Sequence, residues 1–587
     1  MTATGSPIVK LESDLLADVS VDLGWQLIER FAELKRESGM PDEHAAAQYI
    51  VDQLKRLGVE YVVYEPELYL SLPRKSSVVV PGAHAKEYRA KPPAFAVPTD
   101  SGGFTAEAVY LGTPAIEDID ELFETRQDST DEAARGKIVV TDGYAMPGSV
   151  QRFERAGAVG QIYVNPGKNI HWGICTPIWG MPTDENLDQK PETPVVAVNQ
   201  ADGEELKALL SDGNRDLTLR VSLEEGWYKC KIPVATIRGE SDDFLLVHGH
   251  YDSWDVGIGD NAVGDATLLE LARIFHAHRE GLRRTLKVAW WPGHSMGRYA
   301  GSTWYADEFG LELRKRCVAT VNIDSPGCWK ASAYEDVMWM AEANELCLGA
   351  IKDRTGLDAG RRRPIRAGDY SFNQVGLTSF FMLLSNIPQE TRDELGFYPV
   401  GGCGGNIAWH TEDDQLDVAD RRYLEQDLSV YVTAIARVLN AGVLPFDYRN
   451  AVRELADAIG DYERQAKGLV DLSSIKEELI GLQGTLDDLY RTIDSDLSDS
   501  ERDSVNELLK ELARLLVPLN YARGSRFQHD PALSLGTVPK LEGITRLETC
   551  SKNTPDMLPF LQAGLRRYIN EVADVLYTAR QMVVRYI

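Results

Sequence analysis

The chain has 587 residues, 43% hydrophobic and 26% charged, with a formal net charge of −28. Its length exceeds what one hydrophobic core can organise and, at about 150 residues per domain, implies three or four units. The composition is ordinary for a water-soluble globular protein, no run reaches the roughly 18 apolar residues of a membrane span, and the acidic balance would repel nucleic acid and anionic membrane, so neither is expected as a partner.

The first twenty residues, MTATGSPIVKLESDLLADVS, lack the basic start and apolar stretch of a secretory signal. Residues 21–60 are predicted to be helical, because Leu27, Ile28, Phe31, Leu34, Ile50, Leu54 and Leu57 recur at helical spacing. VEYVVYEPELYLSLP, from Val59, alternates like strands, and the Pro- and Gly-rich stretch Pro81 to Gly103 reads as a linker into a new unit.

From about residue 104 to 225, GKIVVTDG, AGAVGQIYVNP and TPVVAVNQADGEELKALL suggest a small β/α module. LKVAWW (286–291), the helix-like DNAVGDATLLELARIFHAH (260–278) and CVATVNID (317–324) then alternate in the βαβ manner, which implies a largely parallel sheet with helical cover. Ligands gather at the carboxyl ends of such strands.

Beyond about residue 445 the strand pattern gives way to helices. Ile475, Leu479, Leu482, Leu486, Leu489 and Ile493 form one apolar stripe, with Ser474 and Glu477 as a candidate capping box. Val505, Leu508, Leu509, Leu512, Leu515 and Leu516 form a second, with Ser498 and Glu501 at its start and Pro518 expected to stop it. Such a terminal helical module is also a reasonable dimer surface. The seven cysteines, at 175, 230, 317, 328, 347, 403 and 550, have no paired spacing. Neither a disulfide framework nor a thiolate zinc cluster is suggested, and a reducing cytoplasm is expected.

Histidines beside carboxylates mark the candidate site. His250 and Asp252 follow the run FLLVHG, and Asp260 comes after the glycines of VGIGD at the start of a helix. Asp324 ends the next strand, and His410 lies in AWHTEDDQLD beyond a Gly-rich loop. Imidazole nitrogen and carboxylate oxygen are zinc ligands, and a shared carboxylate can hold two ions close enough to activate one water.

LLVHGHYDSWDVGIGDNAVGDATLLELARIF resembles the metal-binding segment of peptidase family 28. AWWPGHSMGRYAGSTWYADEFG is similar to that family's W-D-x-E-E-x-G-L-x-G-S-x-x-W-A segment, VNIDSPG to its N-x-D strand end, and WHTEDDQLD to its H-T-x-x-D closing loop. GKIVVTDG and AGAVGQIYVN resemble the protease-associated domain inserted in this fold, and NYARGSRFQHDPALSLGTVPKLEGI resembles the helical dimerisation domain of transferrin receptor-like members. The resemblance implies a zinc-exopeptidase fold of α/β class with a mixed, largely parallel sheet. Residues 1–80 and 226–445 would form the peptidase-like domain, 81–225 the protease-associated-like insertion and 446–587 the helical, dimerising domain. It also implies that His250 and Asp324 bind one metal, His410 a second, that Asp260 bridges them, and that Asp252 orients His250. Zinc, as one or two ions, is the expected cofactor, with iron or another transition metal as the alternative.

Where the family has a Glu-Glu pair, base and ligand in turn, this chain reads Trp291-Pro292-Gly293-His294-Ser295-Met296-Gly297. The stretch from Gly297 to Gly301 is one residue longer than the pattern, so His294 and Ser295 can be set against either Glu slot. His294 can then be a general base, its unperturbed pKa of about 6.5 suiting neutral pH, or a metal ligand. If it is neither, the protein is a catalytically silent scaffold. Arg361, Arg362, Arg363 and Arg366 precede GDYSFNQVG, which contains Tyr370 and by resemblance lines the pocket. Guanidinium forks suit carboxylates. The expected activity is therefore a metal-dependent hydrolase with altered chemistry, acting on a peptide-like or carboxylated small molecule as a homodimer.

Overall fold

In a computed structural model, which describes residues 7–82, 85–112, 121, 132–213, 216–493 and 497–587, one apolar strand organises the molecule. Ser241–His250 runs parallel to both Arg284–Trp291 and Cys317–Asn322. Around it an eight-stranded sheet takes the order Glu60–Tyr64, Ile232–Ile237, Arg284–Trp291, Ser241–His250, Cys317–Asn322, Ser379–Met382, Val337–Trp339 and Arg361–Arg362.

Parallel neighbours need crossovers, which place helices on both faces. Leu245, Val247, Val288 and Trp290 accordingly join one core with Leu268, Leu271 and Phe275 of the helix Val263–Ala277. Phe244, Leu246, Ala289 and Trp291 pack on the opposite face with Tyr305 and Leu313. Each large apolar side chain contributes about 1.5–3 kcal/mol when buried, and a one-residue slip would exchange the two sets. Register is therefore strongly specified. All three central strands end on the same edge, where His250, the loop after Trp291 and Asp324 emerge together.

The second sheet has seven strands in the order Lys86–Ala90, Ser76–Val80, Asp216–Arg220, Phe104–Tyr110, Ile138–Asp142, Gly160–Val164 and Val195–Val198. A ribbon of Glu67–Pro73 with Leu223–Lys229 stands beside it. Two expectations change here. Ser76–Val80 lies before residue 81 yet belongs to this sheet, because its serines and valines pair with Lys86–Ala90 and Asp216–Arg220. The stretch from Pro81 to Gly103, expected as a linker, includes a strand and the buried residues Lys91, Ala94 and Phe95.

The C-terminal part is helical, with Tyr448–Ala466, Ser473–Ile493, Asp499–Tyr521 and Leu558–Tyr586 as its long members. Ser498 and Glu501 form the expected capping box. Ser474 instead lies inside its helix, which begins where Asp471 accepts the Ser473 N–H. Nor does Pro518 stop the second helix, which runs on to Tyr521. The missing N–H and the ring of a proline act on the carbonyl four residues earlier, here that of Arg514, so the residues after Pro518 keep their helical hydrogen bonds, as the Ala522 N–H donating to the Pro518 carbonyl shows. No described helix is long and apolar enough to cross a membrane.

Candidate metal centre

His250 is the last residue of the central strand. Its Nδ1 lies 3.0 Å from the main-chain oxygen of Asp252, so Nε2 is the nitrogen turned to the cleft, 3.0 Å from Asp260 Oδ1 and 3.8 Å from Asp324 Oδ2. Asp260 precedes the helix Val263–Ala277 with non-helical angles, φ −132° and ψ 84°. Its other oxygen lies 3.1 Å from Nε2 of His410. One carboxylate thus spans the two imidazoles.

Neighbours hold this arrangement in place. The Asp414 carboxylate accepts the N–H groups of Gly259 and Asp260 at 2.7 and 3.0 Å. The Asn261 amide donates to the carbonyls of His250 and Ile323, and its oxygen accepts the Ser325 N–H, which ties two strand ends together. Gly257 has φ +62°, and a Cβ there would meet Ser253 at 2.4 Å, so the turn before Asp260 requires glycine. Asp414 was visible in the sequence only as the last letter of WHTEDD; its contact with the turn needs the tertiary fold.

His410 is held from the second sheet's domain. Its Nδ1 lies 3.0 Å from the Trp172 carbonyl, its own carbonyl accepts the Trp172 N–H at 2.9 Å, and its ring stacks on Trp409 at 3.8 Å. The buried Lys91 pairs with Glu412 at 2.8 Å on the same loop. Trp172 further donates its indole N–H to Asp255 and stacks on Trp254.

The His294 ring stacks on His250 with centroids 3.7 Å apart and planes 15° apart. Its Nδ1 lies 2.9 Å from Asp369 Oδ2, while Asp369 Oδ1 accepts the Ser302 hydroxyl at 2.6 Å. His250, His294 and Asp324 each offer a ligand atom within 4.8 Å of the others. Asp252, expected to orient His250 by its carboxylate, is 3.6 Å from Nδ1 through that group and closer through its main-chain oxygen. The carboxylate is occupied by the N–H groups of His294 and Ser295 and by the Ser38 hydroxyl. Asp252 therefore shapes the loop that carries His294.

A cation fits this cluster. Asp252, Asp260, Asp265, Asp324, Asp369 and Asp414 are all buried in this region, and the nearby buried Arg36 is committed to the carbonyls of Tyr251, Val256 and Gly257. Burial opposes charge on His250, yet Asp252, Asp260 and Asp324 outweigh it and hold the imidazole well above its ordinary range. Burial and the neighbouring Asp260 raise Asp324, and the same causes push Asp414 up to about 7. An ion among imidazole nitrogens and carboxylates balances such buried negative charge, and each histidine's outer hydrogen bond presents the opposite nitrogen as a ligand.

The five residues expected to bind substrate do not line the pocket over this cluster. Arg361 and Arg363 are paired with Glu454 of the helix Tyr448–Ala466, Arg362 donates to Asp336, and Arg366 donates to the carbonyls of Asp530 and Pro531 while covering Trp179. Their acceptors come from distant parts of the chain, which local spacing cannot reveal. Tyr370 is buried in a cluster with Trp179 and Met338. The pocket is lined instead by Asp260, His294, Asp324 and His410 with Arg298, Tyr299 and Trp172, among others.

Peptidase family M28 matches over residues 234–430, the span that contains every residue of the cluster. Over that span the domain carrying this site is similar to peptidase family M28. Leucine aminopeptidase 2 of Arthroderma otae is 26% identical over 330 residues, covering 54% of this chain and 59% of that protein. Mouse carboxypeptidase Q is 27% identical over 224 residues, covering 35% of this chain and 44% of that protein. The chain thus spans about half the length of the curated relatives it matches. Among solved structures, a peptidase M28 precursor from Shewanella amazonensis aligns with a TM-score of 0.55 at 18% identity, covering 75% of this chain and 98% of that one. A zinc aminopeptidase from Bacillus subtilis aligns with a TM-score of 0.54 at 18% identity, covering 72% and 96%. These likenesses establish the M28 exopeptidase fold.

Proposed function

We propose that the protein is a zinc-dependent hydrolase of an amide bond in a small peptide-like substrate, with His294 taking the place of the family's glutamate base. One observation carries the reading. Nδ1 of His250, His294 and His410 each faces an oxygen acceptor, at 3.0, 2.9 and 3.0 Å, which leaves three Nε2 atoms for the cleft that holds Asp260 and Asp324.

Zinc suits this donor set, with iron or another transition metal as the alternative, and the zinc aminopeptidase among the structural relatives supports it. Bound there, zinc would supply Lewis acidity toward a carbonyl and toward water. His294 Nε2 accepts the proton of the attacking water and delivers it to the leaving nitrogen. Asp369 keeps the proton on Nδ1, fixes the ring and stabilises the imidazolium, while Ser302 steadies Asp369. The altered chemistry thus rests on a His–Asp pair in place of a carboxylate.

The approach of His294 to His250 and Asp324 favours a second reading, in which His294 is a further ligand and the chemistry departs from peptide hydrolysis. Metal content and turnover of aminoacyl and peptidyl amides separate the two in wild type, His294→Ala and Asp369→Asn. As a base, His294→Ala loses roughly 10²- to 10⁴-fold in rate with metal retained. Loss of the ion in step with activity supports the ligand role. A wild-type protein without metal, equally stable before and after chelation, would sink both and leave a silent scaffold.

A homodimer through the helical domain belongs to the proposal. It is supported by exposed Phe560, Tyr568, Tyr577 and Val584 on the helix Leu558–Tyr586, and sedimentation equilibrium checks it. Seven free cysteines, six of them buried, support a reducing compartment such as the cytoplasm, which fractionation of the source cells tests.

A further inference from the structure

We infer that Arg298 is the receptor for a carboxylate on the substrate, so that the molecule hydrolysed is a small acid; this rests on the hydrolase reading above. Arg298 lies in the stretch between Gly297 and Gly301 that is one residue longer than the family pattern. The chain turns there through two successive left-handed residues, Arg298 at φ 48° and Tyr299 at φ 72°. Non-glycine residues seldom adopt these angles, and they persist where surroundings impose them. Here the Arg298 carbonyl accepts the Gly180 N–H at 2.7 Å, the Tyr299 ring packs on Trp179 at 4.3 Å, and the Tyr299 hydroxyl accepts the Gly368 N–H at 3.0 Å.

The side chain so positioned is 3% exposed and lines the same pocket as Asp260, His294, Asp324 and His410. Its Nε is fully buried without an acceptor, and among the described residues no hydrogen bond or ion pair reaches the guanidinium. Its recorded partner is the Tyr299 ring, 4.8 Å from Cζ. Other deeply buried arginines behave differently. Arg36, Arg284 and Arg514 all donate to main-chain carbonyls. A buried charge with no acceptor is costly, and a carboxylate accepting two parallel N–H bonds meets that need with the geometry guanidinium favours. Trp172, Trp409 and Met382 on the same walls offer apolar surface to the body of such an acid.

The test compares N-acetyl-L-phenylalanine with its primary amide, and benzoate with benzamide, by calorimetry on the full chain, both metal-loaded and after chelation. Thermal unfolding and metal content accompany each protein. Wild type is expected to prefer each acid by roughly tenfold or more in both states, as hydrogen bonds to a charged group imply. Arg298→Gln should bring acid and amide within about twofold, with metal content unchanged. If that variant does not fold, Arg298→Lys, which keeps the charge and loses the fork, is read instead, and an unreduced preference for the acid counts against the proposal. It is overturned if discrimination survives Arg298→Gln, if acid and amide bind alike, if neither binds, or if inorganic phosphate alone shows the Arg298-dependent binding. Failed hydrolysis with acid discrimination intact refutes the hydrolase reading only. Hydrolysis that persists without discrimination refutes the role of Arg298 only.

Discussion

His250 and Asp324 stand at or just beyond the ends of adjacent parallel strands, and the hydrogen-bond ladder between those strands sets their spacing. His410 sits on a loop at φ 57° and is held by one ring and one backbone hydrogen bond to Trp172, a residue of another domain. Secondary structure thus builds one half of the cluster, and domain docking builds the other. His294 and Arg298, where this chain departs from the family pattern, lie on a loop beside both. The lesson is that the strand-end half tolerates little change because its backbone is shared with the core, whereas loop positions can exchange side chains without disturbing the sheet.

The sharpest way to break this comparison is Asp260→Asn, because that carboxylate reaches both halves. An amide cannot bridge them, and since even outer partners of metal ligands are worth 10- to 100-fold, metal affinity should fall by more than about 100-fold. Metal content after dialysis checks it, and full retention of either ion would show that the halves are independent. Trp172→Ala should act on the loop half alone. It removes the stack on Trp254 and the hydrogen bond to Asp255, and should weaken binding at the His410 side by about tenfold with the His250 side unchanged. Stepwise calorimetric titration reads the two separately, and equal weakening of both would contradict the division.

Asp427→Asn has the smallest expected effect on the cluster, because Asp427 touches no proposed ligand. It accepts from Gly327, Tyr334 and Ser385 beneath the strand-end half, and burial pushes its carboxyl up to about 6. A carboxyl raised above its unfolded value of about 3.9 stabilises fully below that pH, and the stabilisation disappears as pH rises through about 6. Wild type should therefore lose up to about 3 kcal/mol between pH 4 and pH 7 relative to the Asn variant. Denaturation midpoints across that range measure it. Parallel curves for the two proteins would show that Asp427 is already ionised in the fold.

Much of the site was legible because it is local. The run FLLVHG must be a buried strand, the glycines of VGIGD must be a turn, and a histidine and an aspartate at those two places necessarily face one edge of a parallel sheet. The arginines show the opposite case. Arg361, Arg363 and Arg366 look like a basic pocket in a linear reading, yet Glu454 and the carbonyls of Asp530 and Pro531 use them up. Arg298 carries no local mark beyond one extra residue in its loop.

By itself, then, the sequence determined the strands, the helical stripes and the ligand-type residues at the sheet edge, since hydrophobic periodicity and turn chemistry act over a few residues. Only the tertiary structure decided which histidine faces which carboxylate, that Asp369 rather than a neighbour of His294 supports its ring, and that the buried Arg298 guanidinium meets no acceptor among the described residues. Those outcomes depend on which acceptors distant segments bring within about 3 Å, the range over which a hydrogen bond forms.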